Sequence, residues 1–140
     1  MDVESNNVAG TRQIAARVAR IAERGDVYGL VGGLGAGKTE FVRGFVEALA
    51  PGTIVRSPTF ALVYTYLTPR FPIHHFDFYR LEDPAELIEI GFDEYLAGEG
   101  VCLIEWADMF PEVLPANTRL IRFVEKGLDN RVIDLGDLKP

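Results

Sequence analysis

The stretch VYGLVGGLGAGKTEF, Val27 to Phe41, decides how the rest of the chain is read. Val27–Val31 is an apolar run with the character of a buried strand, and Gly32–Thr39 fits G-x-x-x-x-G-K-[ST] at every fixed position. A helix is predicted from about Gly37 to Leu49, ended by Pro51-Gly52. In that order, strand, loop and helix make a phosphate-binding turn. The loop Gly32, Gly33, Leu34, Gly35, Ala36, Gly37 can wrap a polyphosphate with successive backbone N–H groups. That requires φ > 0 and close approach, both of which favour glycine. The helix behind it aims its dipole and free N–H groups at the anion. Lys38 would bring a mobile positive charge to the β and γ phosphates, and the Thr39 hydroxyl would ligate Mg²⁺, which takes few protein oxygens. An ordinary glycine-rich turn with an incidental lysine is the plain alternative, and the flanking strand and helix weigh strongly against it.

Two residues in this stretch are unusual. Gly33 adds a further flexible position, raising the entropic cost of ordering the empty loop. Glu40 suits the first turn of a helix, yet its charge lies close to where phosphates would bind, which predicts weakened nucleotide affinity.

Outward from the loop, Thr11–Arg24 reads as a helix capped by Thr11, with Ile14, Val18 and Ile21 at helical spacing and Gly25-Asp26 at its end. Thr59–Leu67 and Ile73–Tyr79 read as an antiparallel pair joined by a turn at Pro69–Pro72. Pro84–Leu96 reads as helical with Leu87, Ile88 and Ile90 on its core side, and Gly91 is a break point. Val101–Trp106 is a buried strand, and Thr118–Val124 and Arg131–Leu135 are closing strands. The predicted fold is α/β: a single domain like that of P-loop NTPases, with a mixed, partly antiparallel sheet flanked by helices.

Composition limits the function. The chain has 140 residues, enough for one domain with a real core, and a formal net charge of −7. Its arginines are scattered, which argues against tight direct binding of nucleic acid but leaves room for a role beside a more basic partner. No apolar stretch approaches the roughly 20 residues of a membrane span. The N-terminal MDVESNN lacks the layout of a secretory signal. Cys102 is the only cysteine, so no internal disulfide forms, and a cytoplasmic location is the expectation.

Carboxylates at the ends of strands are the natural complement to a Mg²⁺–nucleotide. Asp77 lies at the end of IHHFDFY and Glu105 closes VCLIEW. Asp77 has two plainer readings, a pairing with Arg80 or a turn cap, whereas a buried charge at Glu105 needs a partner. Ser57-Pro58-Thr59 is either an ordinary approach to the next strand or a switch-like segment whose hydroxyls sense the γ-phosphate. His74 and His75 are adjacent on a strand, point to opposite faces and read as structural. Trp106 is either core or a shield beside Glu105, and Cys102 is buried and inert. No Asn-Lys-x-Asp run is present, which favours ATP over GTP.

Taken in order, GGLGAGKTEF, SPTFALV, HFDFYR and LIEW resemble TsaE, the bacterial ATPase subunit of the machinery that makes threonylcarbamoyladenosine in tRNA. The similarity runs from about Thr11 to Trp106 and includes the helical segment DPAELIEIGFDEYL. It implies a small P-loop ATPase, weakly active alone. Its partners would be the threonylcarbamoyl-transferase subunit and that subunit's paralogue, which act on adenosine 37 of tRNAs reading codons that begin with A. It also implies that Lys38 and Thr39 bind phosphate and Mg²⁺, that Asp77 and Glu105 are the acidic positions, and that Ser57–Thr59 are the switch-like segment. Thr11 falls where the family's N-terminal helix approaches the nucleotide. Gly33 and Glu40 depart from the family pattern, which carries Asp and a second hydroxyl there. Two other functions stay open: a small-molecule kinase on the same fold, and a nucleotide-binding adaptor without catalysis. For the ATPase reading, no arginine is clearly placed to stabilise the transition state in cis, which predicts slow hydrolysis unless a partner completes the site.

Overall fold

Period-two alternation divides the strands between two cores. Along the strand Val101–Glu105, Val101 and Leu103 pack with Ile14, Val18, Phe41 and Phe45, while Cys102 and Ile104 pack with Phe76, Phe78, Leu87 and Phe92. In the computed structural model, which describes residues 1–58 and 61–140, these two clusters sit on opposite faces of one sheet. Its strands are β1 (Asp2–Ser5), β2 (Val27–Gly32), β3 (Val63–Tyr66), β4 (Ile73–Asp77), β5 (Val101–Glu105), β6 (Arg119–Glu125) and β7 (Arg131–Asp134). Their spatial order is β1-β7-β6-β2-β5-β4-β3. The central strands β6, β2, β5 and β4 run parallel, and β3, β7 and β1 add antiparallel edges. The predicted mixed sheet with flanking helices is the observed one.

Helices α1 (Val8–Ile21) and α2 (Lys38–Leu49) cover one face, and the short α3 (Ala85–Glu89) and α4 (Phe92–Ala97) help to cover the other. A Cβ at Gly44 would lie 2.4 Å from the carbonyl oxygen of Arg12, so α1 and α2 approach this closely only because α2 carries glycine there. No helix among the described residues is long and apolar enough to cross a membrane.

Several boundaries differ from expectation. Asn7, not Thr11, caps α1: its side-chain oxygen accepts the Gly10 N–H at 2.8 Å, and Thr11 lies buried inside the helix. The helix also stops at Ile21 rather than Arg24. The polar DVES segment forms β1, an edge strand paired with β7. Gly91, at φ 75°, separates α3 from α4, as its position suggested. Ile88 is 80% exposed and leaves the core to Leu87.

Candidate nucleotide site

The site is built where parallel strands end. Alternation along β4 sets Ile73, His75 and Asp77 on the α1–α2 side, and along β5 it sets Val101, Leu103 and Glu105 there. Asp77 and Glu105 are register partners, so the two strands finish in adjacent carboxylates. The loop after β2 opens toward them.

That loop has the geometry its glycines imply. Gly37 caps α2 at φ 108°, and Gly35 is at φ 77°, conformations L side chains rarely adopt. A Cβ on Gly32 would meet Phe123 at 2.9 Å, so this position needs glycine for close approach to β6. Gly33 has open space around it and is not sterically required. The Arg131 guanidinium, on β7, donates from Nη2 to the Gly35 carbonyl at 3.0 Å and braces the loop from behind.

Lys38 is 4% exposed, and its Nζ donates to the carbonyls of Gly32 and Gly33, each at 2.7 Å. Trp106 presents its ring 4.0 Å from that ammonium and packs on its other neighbour, Tyr79, with ring centroids 4.8 Å apart. Trp106 itself sits at φ 58°, a left-handed conformation strained for a tryptophan, and its N–H is held by the Leu30 carbonyl. Burial pushes the Lys38 pKa down, and the carboxylates of Glu105, Asp108, Asp77 and Glu125 act against that shift.

Glu105 is 3% exposed and fully engaged: Oε1 accepts the Thr39 hydroxyl at 2.7 Å, and Oε2 lies 2.6 Å from His75 Nε2. Here is the partner that a buried charge at this position requires. The structural role that the sequence predicts for His75 acquires a specific partner, the Glu105 carboxylate. The place of His75 two residues before Asp77, on the same face, was the available signal. Asp77 is less engaged. Its Oδ1 accepts the Tyr79 N–H at 2.9 Å, the turn-cap arrangement, and among the described residues it makes no ion pair with Arg80. Burial raises its pKa, with the Tyr79 N–H opposing and the nearby Glu105 charge adding to the rise.

A cleft of about 350 Å³ collects these groups. Leu34, Gly35, Gly37, Lys38, Thr39, Glu40, Ser57, Asp77, Glu105 and Trp106 all line it. Ala36 is buried beneath the loop and does not. Tyr79 and Arg80, not singled out as site residues from sequence, also line the cleft. Thr11 lies behind the loop: its methyl approaches Gly37, while its hydroxyl is 2.8 Å from that of Ser5. Thr59 falls outside the described residues.

Glu40 is held by two guanidinium groups. Its Oε2 accepts from Arg12 Nε at 3.0 Å and Nη2 at 2.6 Å, and its Oε1 accepts from Arg43. Burial alone would raise its pKa, but these hydrogen bonds and charges outweigh it and leave the carboxyl below its ordinary value. The expected repulsion toward phosphate is therefore offset by two neighbouring positive charges.

No set of three or more His, Cys, Asp or Glu side chains among the described residues forms a metal cage. The donors fit a magnesium ion that takes most of its ligands from elsewhere. Thr39 gives its proton to Glu105, which leaves its oxygen lone pairs for a cation. Asp77 lines the same cleft with one oxygen that has no hydrogen-bond partner among the described residues.

Comparison with known proteins gives a consistent result. The family model described as "Threonylcarbamoyl adenosine biosynthesis protein TsaE" matches residues 5–133. A Bacillus subtilis protein named "tRNA threonylcarbamoyladenosine biosynthesis protein TsaE" is 45% identical over 127 residues, covering 91% of this chain and 79% of that protein. The Rickettsia felis protein of the same name is 36% identical over 148 residues, covering 96% and 86%. The crystal structure of Bacillus subtilis YdiB superposes with a TM-score of 0.81 at 37% identity, covering 98% of this chain and 86% of that one.

Proposed function

This chain belongs to the TsaE family of threonylcarbamoyl adenosine biosynthesis proteins, and from that premise we propose that it is the P-loop ATPase subunit of the complex that modifies tRNA. Its partners are the threonylcarbamoyl-transferase subunit and that subunit's paralogue, and tRNA is engaged through them. The −7 net charge fits a subunit that leaves RNA contact to others. One observation carries the reading: Lys38, Thr39, Asp77 and Glu105 reach a single cleft from the first turn of α2 and the ends of two neighbouring strands.

In this proposal ATP lies along the Gly32–Thr39 loop. Lys38 turns its ammonium from the Gly32 and Gly33 carbonyls toward the terminal phosphates, guided by the Trp106 face. Thr39 and Asp77 would hold Mg²⁺, which would spread the charge of the phosphate oxygens. Glu105 holds the Thr39 hydroxyl in place by accepting its proton, and it orients the attacking water with Asp77. Arg80 lines the same cleft but is exposed, and the positive charge that completes the surroundings of the reacting group is left to a partner.

The test is ATP turnover with and without the transferase partners and tRNA. The proposal expects slow hydrolysis by the chain alone, well below the roughly 1–100 s⁻¹ typical of kinases, and acceleration in the assembly. Phosphate transfer to a small metabolite outpacing hydrolysis would favour a kinase instead. Normal assembly with no hydrolysis at all would leave a non-catalytic adaptor.

A further inference from the structure

The polar contacts do not end with Glu105, at the wall of the cleft. Behind it, His75 is wholly buried, and a polar ring in such a place must find partners. In the tautomer in which His75 donates from Nε2 to the Glu105 carboxylate, Nδ1 is left facing Tyr66 as an acceptor. The hydroxyl of Tyr66, on β3, lies 3.5 Å from that Nδ1. The same hydroxyl accepts the Arg56 N–H at 3.1 Å and donates to the Arg56 carbonyl, also at 3.1 Å. Tyr66 therefore has one proton and two acceptors in reach, one in the backbone before Ser57 and one on His75.

We infer that Tyr66 and His75 are positioning residues that join the backbone before Ser57 to the carboxylate behind Thr39. Polar contacts run from Arg56 through Tyr66, His75 and Glu105 to the Thr39 hydroxyl. The longest step, Tyr66 to His75 at 3.5 Å, becomes a hydrogen bond only when the Tyr66 proton turns away from the Arg56 carbonyl. Ser57, the next residue after Arg56, lines the cleft on its far side. Whatever draws on Thr39 or Glu105 alters the pull on the His75 N–H. A weaker pull there makes Nδ1 a poorer acceptor and leaves the Tyr66 proton to the Arg56 carbonyl, and a stronger pull does the reverse. The two-position element is a single hydroxyl rotor, which meets the physical requirement for coupling better than proximity alone. This inference rests on the nucleotide reading of the cleft, since it needs an occupant that touches Thr39 or Glu105.

The Arg56 amide senses the rotor indirectly, because its bond to the Tyr66 oxygen loses the support of the Tyr66–Arg56 carbonyl bond when the hydroxyl proton turns to His75. Trp106, the only tryptophan, reports occupancy beside Lys38. Amide exchange at Arg56 would be followed by NMR with and without Mg–ATP, alongside Trp106 fluorescence. In the unaltered protein the inference expects nucleotide to change Arg56 exchange about fivefold or more. Tyr66→Phe removes one hydroxyl from the ring. It should speed Arg56 exchange in the free protein and abolish the nucleotide response, while fluorescence still reports binding. His75→Gln should keep the Arg56–Tyr66 bonds and lose the response. If Mg–ATP binds but Arg56 exchange does not move, or if the response survives in both variants, the relay is wrong and the nucleotide reading stands. If fluorescence and calorimetry both show no binding, both readings fall.

Discussion

Thr39 and Glu40 are neighbours in the first turn of α2, yet their side chains enter opposite kinds of charge cluster. Thr39 reaches a carboxylate that is 3% exposed and fixed by a fully buried histidine. Glu40 reaches Arg12 and Arg43, whose side chains remain 48% and 40% exposed. The inner cluster is dry, so each hydrogen bond in it acts at low dielectric and each missing partner is expensive. The outer cluster is screened by water, where ion pairs contribute little. The contrast explains why the chain tolerates a carboxylate beside a phosphate-binding loop. In the proposed function the inner cluster sets the chemistry, while the outer one ties α1 to α2 and neutralises a charge.

Breaking the inner cluster gives the larger effect. Glu105→Ala strands the Thr39 hydroxyl and the His75 N–H together, so turnover in the assembled complex should fall about a hundredfold or more. Stability should drop by about 1–3 kcal/mol for each unsatisfied group, read from denaturant unfolding. Wild-type turnover in this variant would show that the inner cluster is not where the chemistry lies.

The outer cluster should respond less, and with opposite signs. Glu40→Thr leaves two guanidinium groups uncompensated near the cleft and should tighten ATP binding, whereas Arg12→Ala should weaken it. Each change should stay within about fivefold by calorimetry. Equal and same-signed changes would remove the charge argument. The pH dependence sharpens the same comparison. A carboxyl whose folded pKa lies below its ordinary value contributes stability that is present above that ordinary value and lost as pH falls through the folded one. The stability gap between wild type and Glu40→Gln should therefore hold at neutral pH and close as the solution is taken below the ordinary glutamate pKa of about 4.3.

How much of this was legible in the sequence follows the same division. The loop from Gly32 to Thr39 could be read outright, because each of its requirements is local: glycine for backbone conformation, lysine for charge, a helix start for N–H groups. Asp77 and Glu105 were legible as carboxylates ending apolar strands. His75 and Tyr66 were not: the antiparallel pairing of β3 with β4 could be read from the turn between them, but the partnership of His75 with Glu105 depends on β5 lying beside β4, a pairing made through the fold rather than by sequence. The parity of His75 with Asp77 was the one local clue. Arg12 meeting Glu40 joins residues 28 apart, which no helical spacing foretells. Thr11 was read as a cap because it precedes the apolar stripe, but Asn7 has the side chain that reaches the free amide. Strand β1 was invisible since DVES gains its strand character only from β7 beside it.

The central claim is that the loop and Lys38 seat a triphosphate. Calorimetric titration of the chain with ATP in the presence of Mg²⁺, set beside Lys38→Ala, tests it most directly. The account predicts saturable heat of association for the unaltered chain and its loss in the variant. Absence of heat from the unaltered chain, alone and in the reconstituted assembly, or equal binding by Lys38→Ala, would contradict it.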